Sequence, residues 1–369
     1  METKSERIQS LDALRGFDMF WIMGGGGIAI GLAQWTGLPI FKWFAEQQEH
    51  VAWQGFHFED LIFPLFIFIA GVTMPFSILK RKERGESTRN IYKHLIKRVI
   101  ILILLGFIYN QVHWFEKGNI RYASVLARIG ISTFIAGLLV LNFSKRNLYI
   151  IFAFILLSYW AICELFAAPG FSSGDYTLQG NFAGYIDRLF LPGDLLYFDH
   201  LMDPEGLLST YPSIASALLG VLTGLFLRDR QQLSKLKRCG ILAVSGATLL
   251  GAALVWSLFF PIIKGLWTST YVLFAGGLSL LFFALFYFIM DVKGKTSWAF
   301  FFQVIGMNSI LSYLMQPMFA INNINDFFFT GVIKAVPVQA SVLISSITYT
   351  GICWIILYFA FKKKIFLKI

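Results

Sequence analysis

Two histidines and three carboxylates crowd the segment EHVAWQGFHFED (49–60), which runs straight into the apolar stretch LIFPLFIFIAGV. An imidazole, with an ordinary pKa of about 6.5, is the side chain best able to give and take a proton near neutrality. His50 is therefore the candidate general base, and such a base works best when a carboxylate orients its other ring nitrogen. Asp60 is the candidate partner, but ten residues of continuous helix would hold the two about 15 Å apart. Their pairing requires a chain reversal, for which Gly55 in WQGF is the candidate position. The alternative for Asp60 is a cap on the next helix, in or near whose first turn Pro64 is tolerated. The alternative for His50 is an interfacial position in an amphipathic connector. His57 and Glu59 are ligand types that suit zinc, but their spacing matches no zinc motif, and no metal is expected.

Other polar residues stand inside apolar surroundings. Asp12, Arg15 and Asp18 are spaced three apart in LDALRGFDMF, so on a helix Arg15 can reach both carboxylates. They form either a self-neutralised cluster or a guanidinium poised for a phosphate. Gly24 to Gly27 follow; each weakens a helix by roughly 1 kcal/mol relative to alanine. Their use is either close helix packing or room for a slim acyl chain. Arg128 lies inside an apolar run, where a charge costs roughly 2.5–3.5 kcal/mol near a helix centre, so it is expected to face a cavity or a carboxylate. Asn308 in VIGMNSILSY is either glue between helices or a site residue.

The elements that must hold these residues are membrane helices. Of 369 residues, 57% are hydrophobic and only 14% charged, well below the roughly 25% charged of soluble domains. Apolar runs of roughly 20 residues, enough to cross about 30 Å of hydrocarbon, are read at about 11–33, 60–81, 96–115, 123–143, 147–168, 206–227, 239–260, 267–290, 298–319 and 339–361. An all-α polytopic membrane protein with about ten transmembrane helices is expected, as one domain without evident repeats. Even numbers of crossings put both termini on one side. That side collects the basic clusters KRKERGESTRNIYKHLIKR, RDRQQLSKLKR and KKKIFLK, while the opposite loops and span ends hold Lys42, Lys117, Arg121, Arg128, Arg188, Lys264 and Lys334. The positive-inside rule makes the termini cytoplasmic and opens the 49–60 cluster to the far side. The net charge of +10 is then a surface attracted to anionic membrane lipid, and nucleic acid is excluded as a partner. Cys163, Cys239 and Cys353 lie within or at the ends of spans with no CxxC spacing, which indicates neither a disulfide frame nor a zinc site. The first span carries Asp18 and no A-x-A site, so it is expected to remain as an uncleaved helix. The segment 169–205 carries Asp175, Asp187, Asp194, Asp199, Asp203 and Glu205 among glycines, prolines and aromatics, and is expected to form an ordered extracytoplasmic lid.

The chain resembles the heparan-α-glucosaminide N-acetyltransferase family nearly end to end. The likeness is carried in order by SLDALRG (10–16), HVAWQGFHFEDLIFPLFIFIAGV (50–72), RYASVLARIG (121–130), GYIDRLFL (184–191), DPEGLLST (203–210), LWTSTYV (266–272), GMNSILSY (306–313) and KKKIFLKI at the end. It implies a transmembrane acyltransferase that uses cytosolic acetyl-CoA to acetylate the amine of a glucosamine-type sugar on the far side, with His50 catalytic and Asp60 its carboxylate. It departs from the family at WIMGGGG, where the lysosomal enzyme has an asparagine near the reacting centre just before the glycines. Only about ten residues precede the first span, so the lumenal N-terminal domain of the lysosomal enzyme is expected to be absent. On this basis Asp12, Arg15, Gly25, Gly26, Arg128, Asn308 and Ser309 are expected to contact acetyl-CoA, with Arg128 or Asn308 stabilising the oxyanion. Tyr185, Asp187, Arg188, Glu205 and Trp267 are expected to contact the amino-sugar acceptor. A homodimer in a bacterial inner membrane is the expected setting. A proton-coupled transporter of amino sugars, using the same buried charges as a route, is the alternative from another class.

Overall fold

The computed structural model describes residues 8–114, 120–192 and 196–367. Its helices, in chain order, are α1 (Gln9–Thr36), α2 (Pro39–Glu46), α3 (Glu59–Glu83), α4 (Thr88–Trp114), α5 (Val125–Asn142), α6 (Lys145–Leu165), α7 (Phe182–Phe190), α8 (Leu207–Asp229), α9 (Lys235–Trp256), α10 (Ser269–Val292), α11 (Ser297–Gly306), α12 (Ser309–Met318), α13 (Ile321–Ala335) and α14 (Val338–Lys362). Among the described residues there is no β-sheet, and two isolated bridges join Gln54 to Ile263 and Phe198 to Met202. Eight helices are long and apolar enough to cross a membrane, or nine if α11 and α12, bent by 64° at their junction, count as one span. The expected span at 96–115 falls in α4, whose first turns carry Arg89, Lys93, Lys97 and Arg98. The all-α multi-pass architecture is as the hydropathy implies, with eight or nine candidate crossings among the described residues where ten are expected, since α4 does not meet the same combination of length and apolarity.

Packing explains the glycines. In α1 the run at Trp21–Gly25 is a π-turn, and Gly24 takes φ 155°, a conformation that side chains rarely adopt. A Cβ at Gly24 would lie 2.2 Å from Thr350 Oγ1, one at Gly27 2.7 Å from Ser346 Oγ, and one at Gly31 2.4 Å from Leu343 Cα. The missing side chains thus let α14 press against α1. The α3–α8 contact follows the same rule, since a Cβ at Gly71 would meet Ala217 O at 2.2 Å and one at Gly220 would meet Phe68 O at 2.1 Å. Small residues at such crossings are what membrane helices use in place of hydrophobic driving force.

Pro64 sits inside α3 and cannot donate to the carbonyl four residues earlier. That carbonyl belongs to Asp60, and the Tyr271 hydroxyl of α10 donates to it instead at 2.7 Å. Proline therefore opens α3 at its N-terminal end, and the vacated acceptor ties α3 to α10 just where the candidate carboxylate stands.

Candidate active site

The loop 47–58 turns back on itself before α3. Gly55 has φ 122°, its N–H donates to Ile262 O at 3.0 Å, and Gln54 bridges to Ile263. His57 closes the loop, its Nδ1 lying 2.9 Å from Glu49 O. Phe58 wedges against Trp21 and Phe17 of α1. This reversal brings His50 Nδ1 to 2.9 Å from Asp60 Oδ1. The side chain of Asp60 is 1% exposed, that of His50 58%. Asp60 Oδ2 accepts the N–H of His57 at 3.0 Å and of Val51 at 3.4 Å. The carboxylate thus grips the loop and the imidazole, and it makes no capping bond to α3.

A third group completes the cluster. Lys264 Nζ lies 3.2 Å from Asp60 Oδ1, and 3.1 and 3.3 Å from His50 Nδ1 and Nε2. Lys264 stands on the loop between α9 and α10. Trp267 N–H donates to its carbonyl at 2.9 Å, and Thr268 Oγ1, the cap of α10, accepts the N–H of Ile263 at 3.1 Å. Burial pushes the Lys264 ammonium below the ordinary lysine range, against the pull of Asp60.

These groups open into a cavity of about 550 Å³. His50, Glu59, Asp60, Arg121, Glu205 and Lys264 give it a charged part, while Met19 and Ile22 of α1, Phe63 and Phe66 of α3, and Leu126 and Ile129 of α5 give apolar walls. Ser309, Ile310 and Tyr313 of α12 also line it. Arg121 Nε and Nη2 each donate to Asp203 at 2.7 Å, and Nη2 also donates to Glu205. Burial disfavours the Arg121 charge, but Asp203 and Glu205 hold its pKa above the ordinary value. Its guanidinium lies 4.8 Å from the centre of the Tyr197 ring, another cavity residue. In this charged part three carboxylates, Glu59, Asp60 and Glu205, stand beside two cations, Arg121 and Lys264.

Several expected site residues stand elsewhere. Arg128 is 1% exposed and lies outside the cavity lining. Its Nη2 donates to Ser209 at 2.5 Å and its Nε to Thr210 at 3.3 Å, with the Trp267 ring 4.8 Å away. It bolts α5 to α8. Trp267, also 1% exposed, donates from Nε1 to Ser216 at 3.1 Å; at φ 52° it shapes the turn that presents Lys264. Asp187 accepts the N–H groups of Leu207 (2.8 Å) and Asp203 (3.2 Å) at the start of α8. Burial pushes its carboxyl up to about 6. Arg188 donates to Leu201 O at 2.6 Å, and the Tyr185 N–H to Asn181 O. Asp187, Arg188 and Tyr185 lie outside the cavity lining and Glu205 within it. They sit in the 169–205 stretch, in whose described residues Tyr176 donates to Glu164 at 2.5 Å and accepts Trp53 Nε1 at 2.7 Å. Asp194 lies outside the described residues.

At the other end, Arg15 pairs with Asp12 at 3.7 Å. Asp18 is fully buried, and neither of its oxygens finds a hydrogen-bond partner among the described residues. Asp12, Arg15, Gly25 and Gly26 lie outside the cavity lining. Gly25 faces Phe20 and Trp21, and Gly26 is nearest to Gln48. Asn308 occupies the bend between α11 and α12 and spends its amide on the C-terminal tail, donating to Ile365 O at 2.9 Å and accepting from Leu367 N–H at 3.0 Å. Ser309, its neighbour, does line the cavity.

A family model described as a domain of unknown function (DUF5009) matches residues 7–145. Heparan-alpha-glucosaminide N-acetyltransferase of Homo sapiens is 29% identical to the chain over 420 aligned residues, which cover 98% of this chain and 60% of that protein. The Mus musculus protein of the same name is 28% identical, with 100% and 61% covered. The chain is a homologue of heparan-alpha-glucosaminide N-acetyltransferase. It spans about three fifths of the length of these relatives. An uncharacterized 39.9 kDa protein in the amylase 3' region of Bacillus acidopullulyticus is 27% identical over 264 residues, 67% of each chain. Sequence reasoning missed Lys264 and Arg121 as site residues. Both were already visible as cations on the sparsely charged side, where each stands out against the positive-inside bias.

Proposed function

We propose that this chain is a transmembrane N-acetyltransferase that moves an acetyl group from cytosolic acetyl-CoA to the amine of a glucosamine-type sugar on the extracytoplasmic side, in a bacterial inner membrane. The observation that carries this reading is the His50–Asp60 pair, 2.9 Å apart, at the charged end of a cavity whose other walls are apolar. The names of the homologues support it.

Asp60 Oδ1, 2.9 Å from Nδ1, holds the His50 ring, and Nε2, with Lys264 Nζ 3.3 Å from it, is the nitrogen left to act as base. An amine must lose a proton to complete its attack on a carbonyl, and Nε2 takes it. The imidazolium then gains the Asp60 charge as its partner. Glu59 and Glu205 attract the acceptor as an ammonium ion, which gives up one proton to water before its nitrogen can attack, while the apolar walls suit the acyl arm. The returning proton goes to the thiolate as it leaves. Each residue thus acts on a proton or a charge, and positioning accounts for the rest.

Purified protein in detergent, given acetyl-CoA and glucosamine, is expected to form N-acetylglucosamine and free thiol, since no gradient exists there to be coupled. Uptake of amino sugar into sealed vesicles without acetyl-CoA, combined with no amide in micelles, would instead favour a transporter.

A further inference from the structure

We propose that Lys264 is a catalytic residue of this site, whose ammonium group binds the oxyanion formed when the amine adds to the acyl carbonyl. This inference rests on the transferase reading above. Two nitrogens stand at ion-pair distance from one carboxylate oxygen in this cluster, since His50 Nδ1 (2.9 Å) and Lys264 Nζ (3.2 Å) both face Asp60 Oδ1. With His50 neutral, Lys264 is the counter-ion of Asp60. Once His50 accepts a proton, two cations little more than 3 Å apart compete for one carboxylate. At that moment a new anion appears on the substrate, within the same cavity that Lys264 lines. Transfer of the ammonium from Asp60 to that oxygen leaves every charge paired, His50 with Asp60 and Lys264 with the oxyanion.

The alternatives for this role are committed elsewhere. Arg121 is held by Asp203 and Glu205 together, Arg128 lies outside the cavity lining and donates to Ser209 and Thr210, and the Asn308 amide is bound to the tail backbone. Lys264 combines a short reach with a flexible four-carbon stem. Its backbone is fixed by a turn with Trp267 in a left-handed conformation, a type of backbone strain that persists only where the surroundings hold it. Its side chain is 19% exposed, so it is sheltered from water yet open to the ligand.

The step balances as follows. The amine nitrogen bonds to the acyl carbon, the carbonyl π pair moves to oxygen, and the amine proton passes to His50 Nε2. Lys264 donates a hydrogen bond to the oxyanion. The carbonyl then re-forms, the carbon–sulfur bond breaks, and the thiolate takes the proton from His50. The products are an amide and a thiol, and Lys264 returns to Asp60.

The test compares wild type with Lys264→Met and Lys264→Arg in detergent, with kcat and KM for acetyl-CoA measured from pH 6 to 10. The wild type is measured first. If it makes no amide, the transferase reading fails; if it does, the variants test Lys264 alone. Lys264→Met is expected to lower kcat per folded molecule about 10²–10³-fold, with KM within about threefold and a lower thermal midpoint, because the buried Asp60 carboxylate loses its ion-pair partner. Lys264→Arg is expected to recover part of kcat and to move the alkaline limb of its pH profile upward, because a guanidinium stays charged there. The charged groups facing Lys264 are Asp60, Glu59 and Glu205, with His50 beside it. Retention of kcat within threefold by Lys264→Met would overturn the assignment. So would an Arg variant as inactive as the Met variant, with its alkaline limb unmoved.

Discussion

Replacing Asp60 by asparagine separates charge and orientation from size. The two backbone N–H groups that bind Oδ2, those of His57 and Val51, cannot turn around, so the amide must keep its oxygen there. Its NH₂ then occupies the place of Oδ1, facing His50 Nδ1 and Lys264 Nζ. Donor meets donor at Lys264, and at His50 the imidazole must offer a lone pair from Nδ1. The proton moves to Nε2, the atom that should act as base. Swapping an orienting carboxylate for an amide in this way costs up to about 10⁴ in kcat in the serine-protease triad. Because His50 is 58% exposed here and its ring can reorient, about 10³-fold is expected, or ~4 kcal/mol of barrier. The Asp60–Lys264 attraction, about 5 kcal/mol at 3.2 Å and an effective dielectric of about 20, is lost too, so a lower thermal midpoint is expected. Steady-state amide formation at saturating acetyl-CoA measures the effect, with KM for the donor within about threefold. A kcat within threefold of wild type would refute the reasoning, as would an Asp60→Asn change that adds its full cost on top of His50→Ala.

Other consequences follow from burial and packing. Arg128→Ala should lower stability by about 3 kcal/mol through lost hydrogen bonds and a cavity, seen as a depressed thermal midpoint, with turnover per folded molecule nearly unchanged because Arg128 lies outside the cavity lining. Gly71→Ala should cost about 1–3 kcal/mol by pressing a methyl on Ala217 O, whereas Gly251→Ala, with nothing within 4 Å of its Cβ, should be neutral or gain up to about 1 kcal/mol. For Asp187, whose carboxyl sits at about 6 against an ordinary 3.8, the native state binds the extra proton between those values. Its contribution is therefore greatest below pH 4 and is lost as pH rises through 6, by at most ~3 kcal/mol. Hydrogen exchange in 182–207 should accelerate between pH 5 and 7, and Asp187→Asn should flatten that change.

How much could be read in advance depends on the range of each interaction. Apolar runs located the helices because burial in lipid acts on each segment separately. The 49–60 cluster announced itself by composition, and the need for a reversal at Gly55 followed from helix geometry alone. Lys264 could not be attached to it, because the partners are 214 residues apart and meet only when the α9–α10 loop folds over the 47–58 loop. Arg121 meets Asp203 and Glu205 across 82 and 84 positions for the same reason. Asp187 and Arg188 had the chemistry of an acceptor site, yet backbone groups of the 169–207 segment consume it. Between the two uses considered for the glycine run, contact with α14 is the one seen for Gly24 and Gly27. Asn308 is glue, with a partner no pattern could name, the backbone of the C-terminal tail.

The central claim is that the imidazole at position 50 accepts the amine proton during acetyl transfer. The most direct measurement pairs turnover with donor binding in His50→Ala, using labelled acetyl-CoA in detergent. Loss of amide formation by at least about 10³-fold, with donor affinity kept within threefold, is the predicted result. Turnover by His50→Ala at the wild-type rate would contradict it.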